Sequence, residues 1–262
     1  MALLKQNPGK TLYPDIEWSK PENSNLLGKL LIIGGSGHSI AAPSTAYQIA
    51  SNFGASNVKV IVPEAAKKNI PITLPFLEFA ESNHSGSFSK RSTVYIKSFV
   101  ASSDCTFFCG NFGKNSETAI LIEDIIAGAK GLISVSGDAV DYFMLSPNKI
   151  LSRDNSIVVA SFAQLQKMAK NSPFNEAFLF SDGINATAQK LEKFLKDTKC
   201  IIITEKDGTL FLASNQNVLV TKFNKLPEDW QISTASLASC WAMFNSNNMF
   251  EACATAIANV HI

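Results

Sequence analysis

The chain has 262 residues, with 23 Lys and Arg against 22 Asp and Glu, so its formal net charge is +1. Near-neutral charge without a Lys/Arg block excludes a nucleic-acid surface, and no apolar run is long enough to span a bilayer. The apolar share of 46% suits one large globular domain or two small ones, and one α/β domain is preferred.

The first 28 residues are polar and interrupted by Pro8, Pro14 and Pro21, with Trp18 as the only large anchor. They read as an N-terminal arm on the surface, leaving residues 29–262 as the domain. Their start lacks the apolar core of a signal peptide. Five cysteines, Cys105, Cys109, Cys200, Cys240 and Cys253, mostly sit in apolar runs and suit reduced core thiols. Cys105 and Cys109 have no companion ligands near them in sequence, so no metal site is expected. A cytoplasmic protein away from membranes follows.

From Lys29 to Glu64 a continuous apolar run, a glycine loop, a periodic apolar stripe and a second apolar run read as strand, turn, helix and strand. This βαβ unit calls for a parallel sheet. Gly34, Gly35 and Gly37 remove the Cβ atoms that would keep a ligand from the backbone, and the helix start near Ala42 and Pro43 is expected to offer free amides to an anionic or polar ligand. The spacing is not the dinucleotide fingerprint, and a βα turn without any ligand fits the same pattern.

Farther on, His84 lies in a polar loop, where a ligand contact and a solvated histidine are both open. Val94 to Lys97 reads as a strand, and Cys105 to Cys109 as another that ends in Gly110-Asn111-Phe112-Gly113 before a helix from Ser116. Leu132 to Ser136 is a strand followed by Asp138, a carboxylate either at a ligand crevice or capping the helix through Phe143. Ser156 to Ser161 and the helix after it, a strand at Ala177 to Asp182, a helix from Ala186, a strand at Cys200 to Thr204 and a hairpin continue the alternation. Ile232 to Ala242 and Met249 to His261 are apolar helical segments; His261 reads as an end-of-helix residue.

The run Leu31-Ile-Ile-Gly-Gly-Ser, then Ala-Pro and a small-residue helix, then Val58-Lys-Val-Ile-Val-Pro resembles the opening of the NAD(P)H-hydrate dehydratase family of the ribokinase-like superfamily. The resemblance implies a three-layer α/β/α sandwich with a mainly parallel central sheet. It also implies phosphorylation of hydrated nicotinamide cofactor by ADP or ATP with Mg2+, then phosphate elimination. Gly34, Gly35, Ser36, Gly37, His38, Ser39, Asn111 and Gly113 would meet the substrate. Glu205, Lys206, Thr209, Ser233, Thr234 and Ala235 would meet the nucleotide, and Asp138 and Ser236 occupy catalytic positions.

The departures are specific. The family's Gly-Pro-Gly-Leu-Gly loop is Cys109 to Gly113 here, and the Asp-Ala-Asp motif has Ser136 at its first aspartate. The Thr-Pro-His-Pro-Gly-Glu segment is Val159 to Gln164, without histidine or glutamate, and the strand-end lysine falls on Glu205 with Lys206 beside it. The Gly-Thr-Gly-Asp that opens the long helix is Ser233-Thr234-Ala235-Ser236, and a serine hydroxyl takes no proton at neutral pH unless a base activates it. Two expectations stand: a divergent dehydratase, or a ribokinase-like protein that binds a nucleotide or dinucleotide without turning it over. A small-molecule kinase needs the same missing aspartate. Monomer and homo-oligomer stay open.

Overall fold

A computed structural model describes residues 3–70 and 74–260. The strands are β1 (Leu4–Gln6), β2 (Lys29–Gly34), β3 (Asn57–Pro63), β4 (Leu77–Ala80), β5 (Cys105–Gly110), β6 (Leu132–Ser136), β7 (Ser156–Ser161), β8 (Ile201–Lys206), β9 (Thr209–Ala213) and β10 (Val218–Lys222). The helices are α1 (Pro14–Trp18), α2 (Ala41–Phe53), α3 (Thr93–Ala101), α4 (Ser116–Gly128), α5 (Asn148–Leu151), α6 (Phe162–Lys170), α7 (Ile184–Leu195), α8 (Trp230–Met243) and α9 (Met249–Ala258).

The strands form one ten-stranded sheet in the order β1-β10-β9-β8-β7-β6-β5-β2-β3-β4. Among the described residues only β9 runs antiparallel to its neighbours. Successive side chains leave opposite faces of a strand, so Leu30 and Ile32 of β2 pack with α2, α8 and α9, whereas Leu31 and Ile33 enter the core shared with α4, α6 and α7. Both faces are covered, which is why these strands are apolar throughout. Ala42, Ala46 and Ala50 of α2, with Ala235, Ala238 and Ala242 of α8, put small side chains against the sheet and let both helices approach closely.

Two expected strands are absent. Thr93–Ala101 is helical: Ile96 and Val100, four apart, are buried while Val94 and Tyr95 are exposed. The β-branched and aromatic content suggested a strand, but burial follows the helical period. Residues 177–182 form an irregular turn that the Asp182 carboxylate closes by accepting a bond from Leu179 N at 2.8 Å. Phe178 is buried there, and Leu179 and Phe180 are exposed.

The first residues do more than lie on the surface. β1 pairs in parallel with β10, and the buried Gln6 donates through Nε2 to Ala254 O at 2.8 Å while its Oε1 accepts from Leu12 N at 3.0 Å. His261 lies outside the described residues. Among those described, no helix is long and apolar enough to cross a membrane. All five cysteines are free and buried, and burial pushes the Cys200 and Cys240 thiols up to about 12.

Candidate active site at the carboxyl ends of the strands

The β2–α2 loop and the β5–α4 loop meet at one end of the sheet, where Gly35 N donates to Gly110 O at 2.9 Å. A Cβ on Gly34 would overlap Cys109 Sγ and sit 2.8 Å from Gly110 O. The bare backbone at Gly34 therefore accommodates the neighbouring strand. Gly35 turns the chain at φ 85°. Ser36 N then donates to Ser39 O at 2.8 Å and Gly37 N to Gly86 O at 2.7 Å, so the 82–89 loop lies across this turn.

The amides expected to be free at the start of α2 have partners. Ala42 N donates to Asn111 Oδ1 at 2.8 Å, Ala41 N approaches Ser39 Oγ at 3.4 Å, and Pro43 has no N–H. The Ser39 hydroxyl also donates to Asn111 Oδ1, at 3.3 Å. Asn111 has φ 60°, a left-handed conformation that asparagine tolerates, which aims its side chain at α2. A cap supplied from 69 residues away leaves no local sequence signal. His38 and His84 are exposed.

Asp138 does not cap the turn that follows it. Its carboxylate accepts from Phe112 N at 3.2 Å and Gly113 N at 3.1 Å, and the short 3-10 turn Gly137–Phe143 has no side-chain cap. Burial raises its pKa above the usual carboxylate value, against the pull of the two amides. The Tyr142 hydroxyl donates to Gly113 O at 2.7 Å, and burial, with Asp138 nearby, holds that phenol well above its usual pKa. The 110–113 loop is thus gripped from both sides.

Two residues that the sequence did not single out bridge the next stretch of this rim. The Ser161 hydroxyl accepts from Gln164 N at 3.2 Å, and Gln164 Oε1 accepts from Ser161 N at 2.9 Å, a capping box. Gln164 Oε1 also accepts from Gln231 Nε2 of α8 at 3.0 Å, while Gln164 Nε2 donates to Gly137 O at 2.9 Å and Asp141 Oδ1 at 2.8 Å. The box was legible in Ser-x-x-Gln; the reach to Gln231 was not.

The last segment departs most from expectation. Helix α8 does not open at Thr234 but at Trp230, after Asp229. Thr234, Ala235 and Ser236 are fully buried inside the helix, and the Ser236 hydroxyl donates to Ile232 O at 2.7 Å. Thr234 Oγ1 has no hydrogen-bond partner among the described residues, and Ser233 N donates to Asp229 O at 3.0 Å. Glu228 and Asp229 put carboxylates where the helix dipole would otherwise draw an anion.

At the neighbouring strand end, Glu205 accepts from Gly208 N at 2.8 Å. Lys206 is buried, donates to Asp182 O, and lies 3.1 Å from Asp207 Oδ2. Thr209 is buried on β9, paired with Lys206 and Lys222. The β2 loop and α8 do share one end of the sheet, since Gln231 also donates to Val159 O at the carboxyl end of β7, at 3.2 Å.

No protein-family model and no curated protein sequence matches the chain. Solved structures do. One is a ribokinase-like superfamily protein from Enterococcus faecalis V583, with TM-score 0.71 at 12% identity over 97% of this chain and 86% of that one. The fold is ribokinase-like. The chain also superposes on an ADP/ATP-dependent NAD(P)H-hydrate dehydratase from Bacillus subtilis, crystallised with ATP and Mg2+, with TM-score 0.62 at 11% identity over 93% and 84% of the two chains. A pyridoxal kinase from Staphylococcus aureus matches with TM-score 0.53 at 10% identity over 87% and 84%. At these identities the likeness carries the architecture alone.

The residues present do not fit a nucleotide held by its phosphates at the start of α8. The helix continues through the place that the resemblance gives the glycine turn, Thr234, Ala235 and Ser236 are buried there, and carboxylates precede it. Mg2+ in phosphoryl-transfer sites is held largely through the nucleotide phosphates, so it loses its anchor with them.

Proposed function

We propose that this chain is a ribokinase-like domain that binds without turning over, lacking both dehydratase and phosphoryl-transfer activity. The observation that carries this reading is Ser236. It stands where the resemblance puts the acid/base aspartate, yet it is buried within α8 with its proton given to Ile232 O. A positioned acid/base is worth roughly 10²- to 10⁴-fold in rate, and no other carboxylate replaces it within α8. Polar groups left for a ligand at the rim are the exposed His38 and the Asn111 Nδ2. A small-molecule nucleotide or dinucleotide held through its sugar and base suits these groups better than one held by phosphate.

The test is direct. The protein is incubated with hydrated NADH, ADP or ATP and Mg2+, and NADH absorbance is followed. No recovery above the protein-free blank is expected. Recovery proportional to protein concentration overturns the proposal in favour of a divergent dehydratase.

A further inference from the structure

A separate cleft lies toward the opposite margin of the sheet, where the first turn of α7 faces β1, β9 and β10. It encloses about 710 Å³. The two-residue strand period fixes which side chains enter. Phe211 and Ala213 of β9, and Val218 and Val220 of β10, pack on the same layer as α7. Thr209 and Lys222 have the same parity and are register partners, so they leave the sheet on that face. Lys5 of β1 pairs with Val220 and joins them.

Three features of this cleft are donors without acceptors. Lys5 and Lys222 line it and form no ion pair among the described residues. Helix α7 opens on Gly183 with no side-chain cap and no acidic residue in its first turn, and Ile184, Asn185 and Ala186 line the cleft. Their amides belong to the first turn, which no intrahelical bond satisfies. The third feature is Thr209, which is 1% exposed and lines the cleft, with a hydroxyl that makes no hydrogen bond among the described residues.

The Thr209 hydroxyl opens to the cleft instead of being sealed in the core, so it is free to donate to a group that enters there. Among the described residues the two lysines are the only charged ones lining the cleft. The carboxylates adjacent in sequence are already engaged, Asp182 with Lys190 at 2.7 Å and Asp207 with Lys206 at 3.1 Å.

Two lysines, helix-start amides and a hydroxyl line one cleft, a donor set that suits an acceptor-only dianion. Val220 and Ile184 give its organic remainder an apolar wall. We propose that this cleft binds the phosphate of a small phosphomonoester. The site is independent of the α8 end, and its existence does not depend on whether the domain catalyses a reaction.

The experiment is a residue-resolved NMR titration of the full chain with inorganic phosphate, glycerol 3-phosphate and glycerol, ionic strength being held constant with chloride. Saturable shifts of the Ile184–Ala186 and Thr209 amides are expected with both phosphates, the ester binding at least as tightly, and none with glycerol. The Lys5→Gln/Lys222→Gln variant should bind about tenfold more weakly. Thr209→Val, which keeps the shape and removes the hydroxyl, should bind a few-fold more weakly. Unsaturable shifts, shifts confined to other residues, exclusion of the ester, or an unchanged affinity in the double lysine variant would each overturn the site.

Discussion

Ser236 shows how a single position changes meaning between a sequence and a fold. Aligned with a catalytic aspartate, it invites the repair Ser236→Asp. Inside α8, with no exposure at all, the same change buries an unpaired carboxylate. We expect it to cost at least about 3 kcal/mol, seen as a lower urea midpoint, with no gain in dehydratase activity. Ala235→Gly should cost about 1 kcal/mol as a glycine in a helix interior. A stable Ser236→Asp protein with measurable turnover would contradict this placement.

Asp138 carries a second prediction at this scale. Burial raises its folded pKa above the unfolded value, so between the two values the native state holds more protons than the unfolded chain. Stability contributed by this group is therefore greatest in acid, falls as pH rises through that window, and is constant above it. The wild-type stability, measured by urea denaturation relative to Asp138→Asn, should decline with rising pH across the carboxylate range. A flat or rising difference would mean that the two amide bonds outweigh burial.

The joints between elements matter as much as their cores. Helix α2 takes its cap from Asn111 on the β5–α4 loop, so Asn111→Ala should cost about 1 kcal/mol and speed amide exchange at Ala42. Unchanged exchange there would show that water replaces the cap without loss. Element boundaries of this kind explain where sequence reading stopped. The βαβ unit from Lys29 was legible because apolar runs and the alanine stripe of α2 carry their own periods. That Gly34 yields to Cys109 depends on a contact 75 residues away along the chain, which no local pattern encodes. The segment Ser233-Thr234-Ala235-Ser236 resembled a turn by alignment, yet residues without glycine have no reason to leave the helix, and α8 runs through them.

At the scale of the whole molecule, the parallel strands β2, β3 and β5 to β8 were legible as apolar runs, whereas β4 was not and neither was β1. It is three residues long and includes a lysine, and only pairing with β10 makes it part of the sheet. Removing residues 1–10 should bare the β10 edge and the Ala254 carbonyl that Gln6 serves. The truncated chain is expected to melt earlier and to associate through the open edge, checked by calorimetry and light scattering. Equal melting of both forms would make the N-terminal segment dispensable to the sheet.

The most direct measurement is an NMR titration of the full chain with ATP and Mg2+, reading the Ile232–Ser236 amides at the start of α8. The predicted result is that these amides do not move, because the helix there is continuous, Thr234, Ala235 and Ser236 are buried, and carboxylates precede it. Saturable shifts at Ile232–Ser236 would contradict the account by showing that the helix start opens to receive phosphate.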